Sequence, residues 1–531
     1  MDARTELSWS GWGDPAQATE LPASIHELLR TGLGVTRATP TPAAISDLVL
    51  AAPRLDAEAA GQMAAVVGDA HVAADHSARA RHALGRSTLD LLALRAGRPL
   101  PAPDLIVSPG SHEEVAGVLA LCAARRIAVV PFGGGTSVVG GLTPDAEAFA
   151  GWLALDLRRL DALHELDEVS RVATLGAGLR GPEAEAILGA RGYTIGHFPQ
   201  SFEYASLGGF AAARSSGQAS AGYGRFDELV HGLRVAAPAG ELRLGRAPKS
   251  AAGPDLRQLM LGSEGAFGVI TELTIRVRPR PAQRAYDGWR FPDFATGCAA
   301  LRRLVQDGPV PTVLRLSDEA ETAMGLARPD AIGSAEASGC LAIAGYEGDA
   351  GAVTARRAAA DAVLADAGAV RVADAGAEWE HGRYRGPYLR DALLDAGALV
   401  ETLETVTFWS GVPGLYAAVT AALRDTLTAA GTPPVVLCHV SHVYPAGASL
   451  YFTVACAQAA DPIAQWREAK RVTGAAILAH GGSISHHHGV GRDHRSELER
   501  ELGGLGVAVL RAVKATLDPT GILNPGILIT P

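Results

Sequence analysis

The chain has 531 residues, 48% apolar, 5% aromatic and 20% charged, with 57 acidic against 47 basic side chains and a net charge of −10. At ~100–200 residues per domain, this length excludes a single small module or a disordered polymer and sets an expectation of two to four domains. The acidic balance offers no electrostatic footprint for nucleic acid, and the dispersed cysteines (Cys122, Cys298, Cys340, Cys438, Cys456), with no CxxC pair, fit a reducing compartment better than a disulfide framework.

Residues 1–100 are expected to form a helical N-terminal region. ATELPASIHELLRTGL and AAISDLVLAAPRLD carry helical apolar spacing. ARARHALGRSTLDLLALRAG is amphipathic and Arg-rich, a pattern that suits either a bilayer surface or, the better reading, packing on the next domain. The N-terminus lacks the apolar stretch of a secretory signal, no run of ~18 or more apolar residues occurs, and the chain ends ILITP with no SKL-like tripeptide, so a cytoplasmic location is expected.

Residues 101–281 change texture. DLIVSP reads as a strand, and Ser111-His-Glu-Glu114 as a capping box opening a helix with Val115, Val118, Leu119 and Cys122 on one face. RIAVVPF then runs into a glycine loop. A dinucleotide fold of the Rossmann kind would need those glycines to open a helix. Gly141-Leu-Thr-Pro-Asp and the strand-like WLALDLRRL follow instead, so that fold is excluded. RVATLGAGLRGPEAEAILGARG gives a strand and a helix with Pro182 near its first position. Residues 282–478 alternate between strand and helix patterns and read as a separate domain supplying substrate contacts. Residues 479–531 hold a Gly- and His-rich loop, a helix from about Arg495 and the turn DPTGILNPG.

Three loops offer backbone donors to a diphosphate. The first is PFGGGTSVVGG, with Pro131, Phe132, Gly133, Gly134, Gly135, Thr136 and Ser137 at its head. The second, within residues 196–235, contains Gln200, Ser201, Phe202, Glu203, Tyr204, Ala205 and Ser206, then Ala213, Arg214, Ser215 and Ser216. The third carries Glu264, Gly265, Ala266, Phe267, Gly268, Val269 and Ile270. Any one of them alone reads equally well as a tight turn.

The other chemical residues each have two readings. In GGSISHHHGVG, an extended chain would put His486 and His488 on one face and His487 on the other. Imidazoles there could move protons. A metal site drawing on His439, His442 and His480 is the rival, but no HExxH and no carboxylate or Cys at ligand spacing accompany them, so no metal is expected. Tyr451 lies in an alternating strand, either reaching a site or half-buried in a sheet. Arg390 suits a phosphate or carboxylate, or an ion pair with Asp391. Arg315, within a strand, is either a ligand contact or part of a buried salt bridge.

Taken together, the three glycine loops and DPTGILNPG resemble the FAD-binding module of the vanillyl-alcohol oxidase (PCMH) flavoprotein family, over roughly residues 100–280 and the C-terminal turn. That family often has Lys after the NPG, where this chain has Ile527. SGWGD, PDLIVSP, YLRD, ETLET, GASLYF and GGSISHHHGVG extend the resemblance over nearly the whole chain to the alkyldihydroxyacetonephosphate synthase branch. The resemblance implies an α+β fold: a two-subdomain FAD-binding domain, an α/β cap domain and a helical N-terminal region. It implies that the loop residues named above line FAD, held without a covalent bond because FGGGTS contains no His. Gln200 stands where the family enzyme has an acid. It further implies Arg390 and Arg315 as substrate contacts, Arg390 through a phosphate, with Tyr451 as acid/base supported by His486, His487 and His488. The implied reaction exchanges the acyl chain of acyl-dihydroxyacetone phosphate for a fatty alcohol through an adduct at flavin N5. Alternatives are FAD-dependent oxidation of a hydroxy acid or alcohol, and a catalytically silent flavin- or lipid-binding protein. The expected partner is a small-molecule or lipid substrate, with peripheral membrane contact and a homodimer left open.

Overall fold

The computed structural model describes residues 6–325 and 338–530. The first glycine loop is set up by a small parallel core. Strands β1 (Val72–Ala73), β2 (Leu105–Val107), β3 (Ile127–Phe132) and β4 (Gly151–Asp156) form a sheet in the order β1-β2-β4-β3, with β4 parallel to both β2 and β3. The helix between β2 and β3, His112–Arg125, starts where the Ser111 side chain accepts the Glu114 N–H at 3.1 Å. Glu114 reaches back to the N–H of Gly110, not that of Ser111, so the box closes one residue early. Val115, Val118, Leu119 and Cys122 are fully buried against the strands, each contributing on the order of 1–3 kcal/mol. Beyond Phe132 the chain stays irregular until β4, as the exclusion of a Rossmann fold requires.

A second sheet, β5 (Leu163–Asp167), β6 (Val172–Gly176), β8 (Val230–Ala237), β9 (Gly240–Leu244) and β10 (Val269–Arg276), is ordered β5-β6-β10-β8-β9, all antiparallel. A two-residue ladder joins β7 (Tyr193–Thr194) to β11 (Arg278–Pro279). The C-terminal turn returns to these sheets: Leu523 bridges Val129 on the free edge of β3, and Ile527, Leu528 and Ile529 are buried in the second core.

The N-terminal region is less helical than its spacing suggests. Helix α1 (Ala23–Gly32) forms, but AAISDLVLAAPRLD yields one 3-10 turn at Ile45–Asp47 and a bridge from Leu50 to Leu100. Pro53 cuts its apolar pattern short. Ahead of the parallel core, α2 (Ala57–Val67) precedes ARARHALGRSTLDLLALRAG, which splits into α3 (His76–Arg81) and α4 (Thr88–Arg95). Three of its four arginines point inward, while Arg81 is exposed. Arg79 donates to the carbonyls of Pro103 and Ala51, Arg86 to those of Ser8 and Gly11, and Arg95 pairs with Asp395. With Arg79, Arg86 and Arg95 at 7%, 4% and 6% exposure, most of the basic charge of this segment is packed inside the protein.

The cap is a seven-stranded antiparallel sheet. Its strands are β12 (Gln283–Phe291), β13 (Val313–Ser317), β14 (Cys340–Gly348), β15 (Val370–Val372), β16 (Ala398–Phe408), β17 (Val435–Val443) and β18 (Gly447–Ala457), in the order β15-β12-β14-β13-β17-β18-β16. Helices Phe294–Gln306, Ala350–Asp366, Val412–Ala429 and Pro462–Ala479 bury one face through Leu301, Leu364, Leu423 and Trp466. The other face opens on a cavity. Among the described residues no helix is long and apolar enough to cross a membrane.

Candidate active site

The cavity, about 900 Å³, lies between the glycine loops and the open face of the cap sheet. All of Pro131–Ser137 line it, with Gln200, Ser201, Ala205, Ser206, Ala213, Ser215, Ser216, Glu264, Gly265, Gly268, Val269 and Ile270. Six residues expected at this wall stand elsewhere. Ala266 and Phe267 are buried in the core of the second sheet. Tyr204 packs with Trp12 and Tyr388, Phe202 against Phe198 and Tyr384, and Glu203 lies beside them. Arg214, in a left-handed turn, sends its guanidinium to the carbonyls of Leu261 and Gln258.

This wall fits FAD on two observations. A Cβ on Gly134 would overlap the Tyr204 carbonyl and one on Gly133 the Ser206 hydroxyl, so the loop lies against the second segment in a way that only glycine permits. Asn524, in the C-terminal turn, donates from Nδ2 to the carbonyls of Gly141 (3.1 Å) and Glu264 (2.8 Å), yet its buried Oδ1 has no donor in the protein and the residue lines the cavity. That acceptor matches an N–H or O–H of a nucleotide. Glu264 takes the N–H groups of Val490 and Gly491, tying the third loop to the turn after the histidines. Burial raises its carboxyl to about 7 against those bonds.

Strand alternation places the chemistry in a row. On the open face His439 pairs with Tyr451 and Tyr451 with Glu404. The next pairs along are Leu437–Thr453–Thr402, and then Val435–Ala455–Val400. Tyr451 stacks on His439 with centroids 4.9 Å apart and meets His488 edge-on at 5.5 Å. Burial pushes its phenol up to about 12.

The triple histidine is not extended, and its faces do not alternate. Glu404 gathers the loop: its carboxylate accepts the Ser485 hydroxyl (2.7 Å) and the backbone N–H groups of His486 (2.5 Å), His487 (3.2 Å) and His488 (2.9 Å). His487 and His488 therefore both line the cavity, while His486 turns away to the Tyr444 hydroxyl at 2.6 Å and stacks on His442. Burial lowers the imidazoles of His439, His442, His486 and His487, and that of His488 to about 4, so all are neutral near pH 7. Burial alone would raise Glu404; His487, His488 and the loop hydrogen bonds hold it down at about 2. Its alternating strand marked Glu404 as inward-facing, but only the fold shows what it holds. Ring nitrogens of His442, His486 and His487 lie within 4.8 Å of one another, the spacing of a metal-ligand set. They are already bonded: His486 Nδ1 to His487 Nδ1 (2.9 Å), and His442 Nδ1 to Ser216 and Ser220.

Both expected substrate arginines line the cavity already paired. Arg390 donates Nε and Nη2 to Asp391 and Nη1 to the Arg86 carbonyl. Arg315 pairs with buried Glu321, which also takes His439 Nδ1 at 2.8 Å and the Ser317 hydroxyl. For Arg315, the buried salt bridge is the observed arrangement.

Comparison with known proteins follows this geometry. Residues 103–245 match the family described as FAD binding domain, and residues 280–528 the one described as FAD linked oxidases, C-terminal domain. The chain is similar to alkyldihydroxyacetonephosphate synthase of Dictyostelium discoideum, 34% identical over 86% of this chain and 78% of that one. It is also similar to that of Trypanosoma brucei brucei, 29% identical over 99% and 93%. A solved structure of an alkyldihydroxyacetonephosphate synthase superposes with a TM-score of 0.83 at 30% identity, covering 99% of both chains. The chain is thus an FAD-dependent enzyme and belongs to the FAD-linked oxidase family, on the branch of the alkyldihydroxyacetonephosphate synthases.

Proposed function

We propose that the enzyme exchanges the acyl chain of an acyl-dihydroxyacetone phosphate for a fatty alcohol: the fatty acid leaves as a carboxylate, the alcohol oxygen takes its place on C1, and the alcohol proton is released. The observation that carries this reading is the gradient along the open face. The polar row of His439, Tyr451 and Glu404 gives way to Val435, Ala455 and Val400, over which Ile25 and Leu29 of α1 close an apolar end. A small hydroxy acid has no use for that end; a long chain fills it, at ~0.8 kcal/mol per buried methylene.

The loop residues that line the cavity would hold FAD without a covalent bond, since the first loop presents no His. Bound FAD supplies an isoalloxazine that accepts electrons and can act as a nucleophile. Tyr451, with its phenol raised by burial, is protonated at neutral pH and enters as a proton donor. His487 and His488, kept neutral by burial, enter as acceptors for the C1 proton. Ile25, Leu29 and Val400 exclude water from the chain end.

An anaerobic absorption titration tests the proposal. Palmitoyl-dihydroxyacetone phosphate should perturb the flavin spectrum and release palmitate with no net electron yield. Two-electron bleaching by a hydroxy acid or alcohol, reversed by an acceptor, would reassign the site to oxidation.

A further inference from the structure

Arg383 stands at the cavity wall with no carboxylate in direct contact, the charge of Glu347 reaching it only at longer range. Its guanidinium lies over three aromatic rings, with centroids at 4.9 Å for Tyr384, 5.4 Å for Phe198 and 5.7 Å for Trp379. These separations are within the ~6 Å reach of cation–π attraction. Its one side-chain hydrogen bond runs from Nη2 to the Tyr384 hydroxyl at 2.8 Å. Among the described residues no acid pairs with it, in contrast to the other two arginines discussed: Arg390 is neutralised by Asp391 and Arg315 by Glu321. Aromatic faces hold a guanidinium in place without cancelling its charge, so its remaining N–H groups stay available to an anion.

A second polar atom in the same place also lacks a partner in the protein, and as an acceptor it suits an O–H of the ligand, not its phosphate oxygens. Gln218 donates from Nε2 to the Arg383 carbonyl, which fixes the orientation of its amide, and its buried Oε1 has no donor in the protein. Gln218 and Arg383 both line the cavity. Trp379 packs with Val313 and Ile343 on β13 and β14, whereas α1 packs with Val400 and Ala455 on β16 and β18. The Arg383 cation and the apolar end therefore flank the open face from opposite sides, with the Tyr451 row between them.

We infer that Arg383 supplies the positive charge that binds the phosphate of the substrate, and that it does so as a specificity residue. The inference rests on the proposed acyl-ketone phosphate reading and deepens it.

The test compares palmitoyl-dihydroxyacetone phosphate with palmitoyl-dihydroxyacetone, which lacks the phosphate, on FAD-loaded wild type, Arg383→Gln and Arg383→Lys, by flavin perturbation and palmitate release. FAD content and thermal melting show whether each variant is folded. In Arg383→Gln the half-saturating concentration of the phosphate ester should rise about 10- to 100-fold, the weight of a charge-assisted hydrogen bond, with that of the unphosphorylated ketone unchanged. Arg383→Lys should recover part of the loss. If a folded Arg383→Gln keeps the wild-type preference for the phosphate, or if it fails by releasing FAD, the assignment is overturned while the proposed reaction stands. A wild type that responds to neither ketone would overturn the reaction and the assignment with it.

Discussion

Replacing Glu404 by Gln keeps the side chain's shape and removes the charge around which the histidine loop is wound. In the native site Oε1 takes the Ser485 hydroxyl and the N–H groups of His487 and His488, and Oε2 takes that of His486. The amide oxygen of Gln can serve the first three. Its –NH₂ must then face the His486 N–H, leaving one buried donor unpaired at about 1–3 kcal/mol. Loss of charge assistance in the retained bonds adds to this, giving a total near 3 kcal/mol. Because Glu404 is cross-strand to Tyr451 and its partners carry His487 and His488, a shift of ~1 Å in the loop also misplaces both rings, worth on the order of 10² in rate. Urea unfolding of the FAD-loaded variant and single-turnover release of palmitate read the two effects separately. A Glu404→Gln enzyme that unfolds within about 0.5 kcal/mol of wild type with unchanged kcat would refute the view that this carboxylate builds the site.

Tyr451→Phe should retain FAD and substrate affinity but lose at least about 10²-fold in kcat, seen as an unchanged KM beside a fallen turnover. Acid should destabilise the fold from pH 6.5 downward. Burial lowers His488 to about 4 and His197 and His494 to about 3, so between those values and 6.5 these groups bind more protons in the unfolded chain than in the native one. They outweigh Glu264, Asp90 and Asp318, whose raised carboxyls act in the opposite direction. Each histidine then adds a slope of ~1.4 kcal/mol per pH unit, and stability falls as pH falls; a melting temperature that stays flat from pH 6.5 to 5 would contradict this. Leu29→Trp should fill the apolar end under α1, raising KM for palmitoyl substrate several-fold while leaving a short-chain acetyl analogue unaffected; equal effects on both would place the acyl chain elsewhere.

What could be read from the sequence was the local part. The stripe Val115, Val118, Leu119 and Cys122, the first glycine loop, and the alternation that turns Tyr451 toward the cavity depend on near neighbours in the chain, and the structure places these as their patterns imply, whereas the other two loops reach the cavity only in part. The remainder required contacts between distant segments. Glu404 lies 82 residues from the His486 N–H it holds. Arg383 takes its aromatic support from Phe198 in one domain and Trp379 and Tyr384 in the other. The arginines of ARARHALGRSTLDLLALRAG had the same pattern for a bilayer as for a protein interior. What decided between them was a set of carbonyls, those of Ser8, Gly11, Ala51 and Pro103, whose positions no periodicity encodes.

One physical cause, burial, gives the site opposite protonation states side by side. A buried phenol resists losing its proton and a buried imidazole resists gaining one, because each transition creates a charge in a poorly solvated place. Tyr451 is pushed up to about 12 while His488, edge-on to it, is pushed down to about 4. Donor and acceptor thus coexist through the whole neutral range without either being tuned to it. The charge that stabilises this arrangement sits one strand away on Glu404, whose carboxylate is spent on the backbone of the loop and so holds the imidazoles in place without entering the cavity as a competing base. In the proposed reaction, burial of this depth would keep water from the reacting centre, and the apolar end under α1 would continue that exclusion along the acyl chain. The proposed head-group chemistry and tail pocket would therefore both follow from one sheet face graded from Glu404 and Tyr451 to Val400 and Ala455.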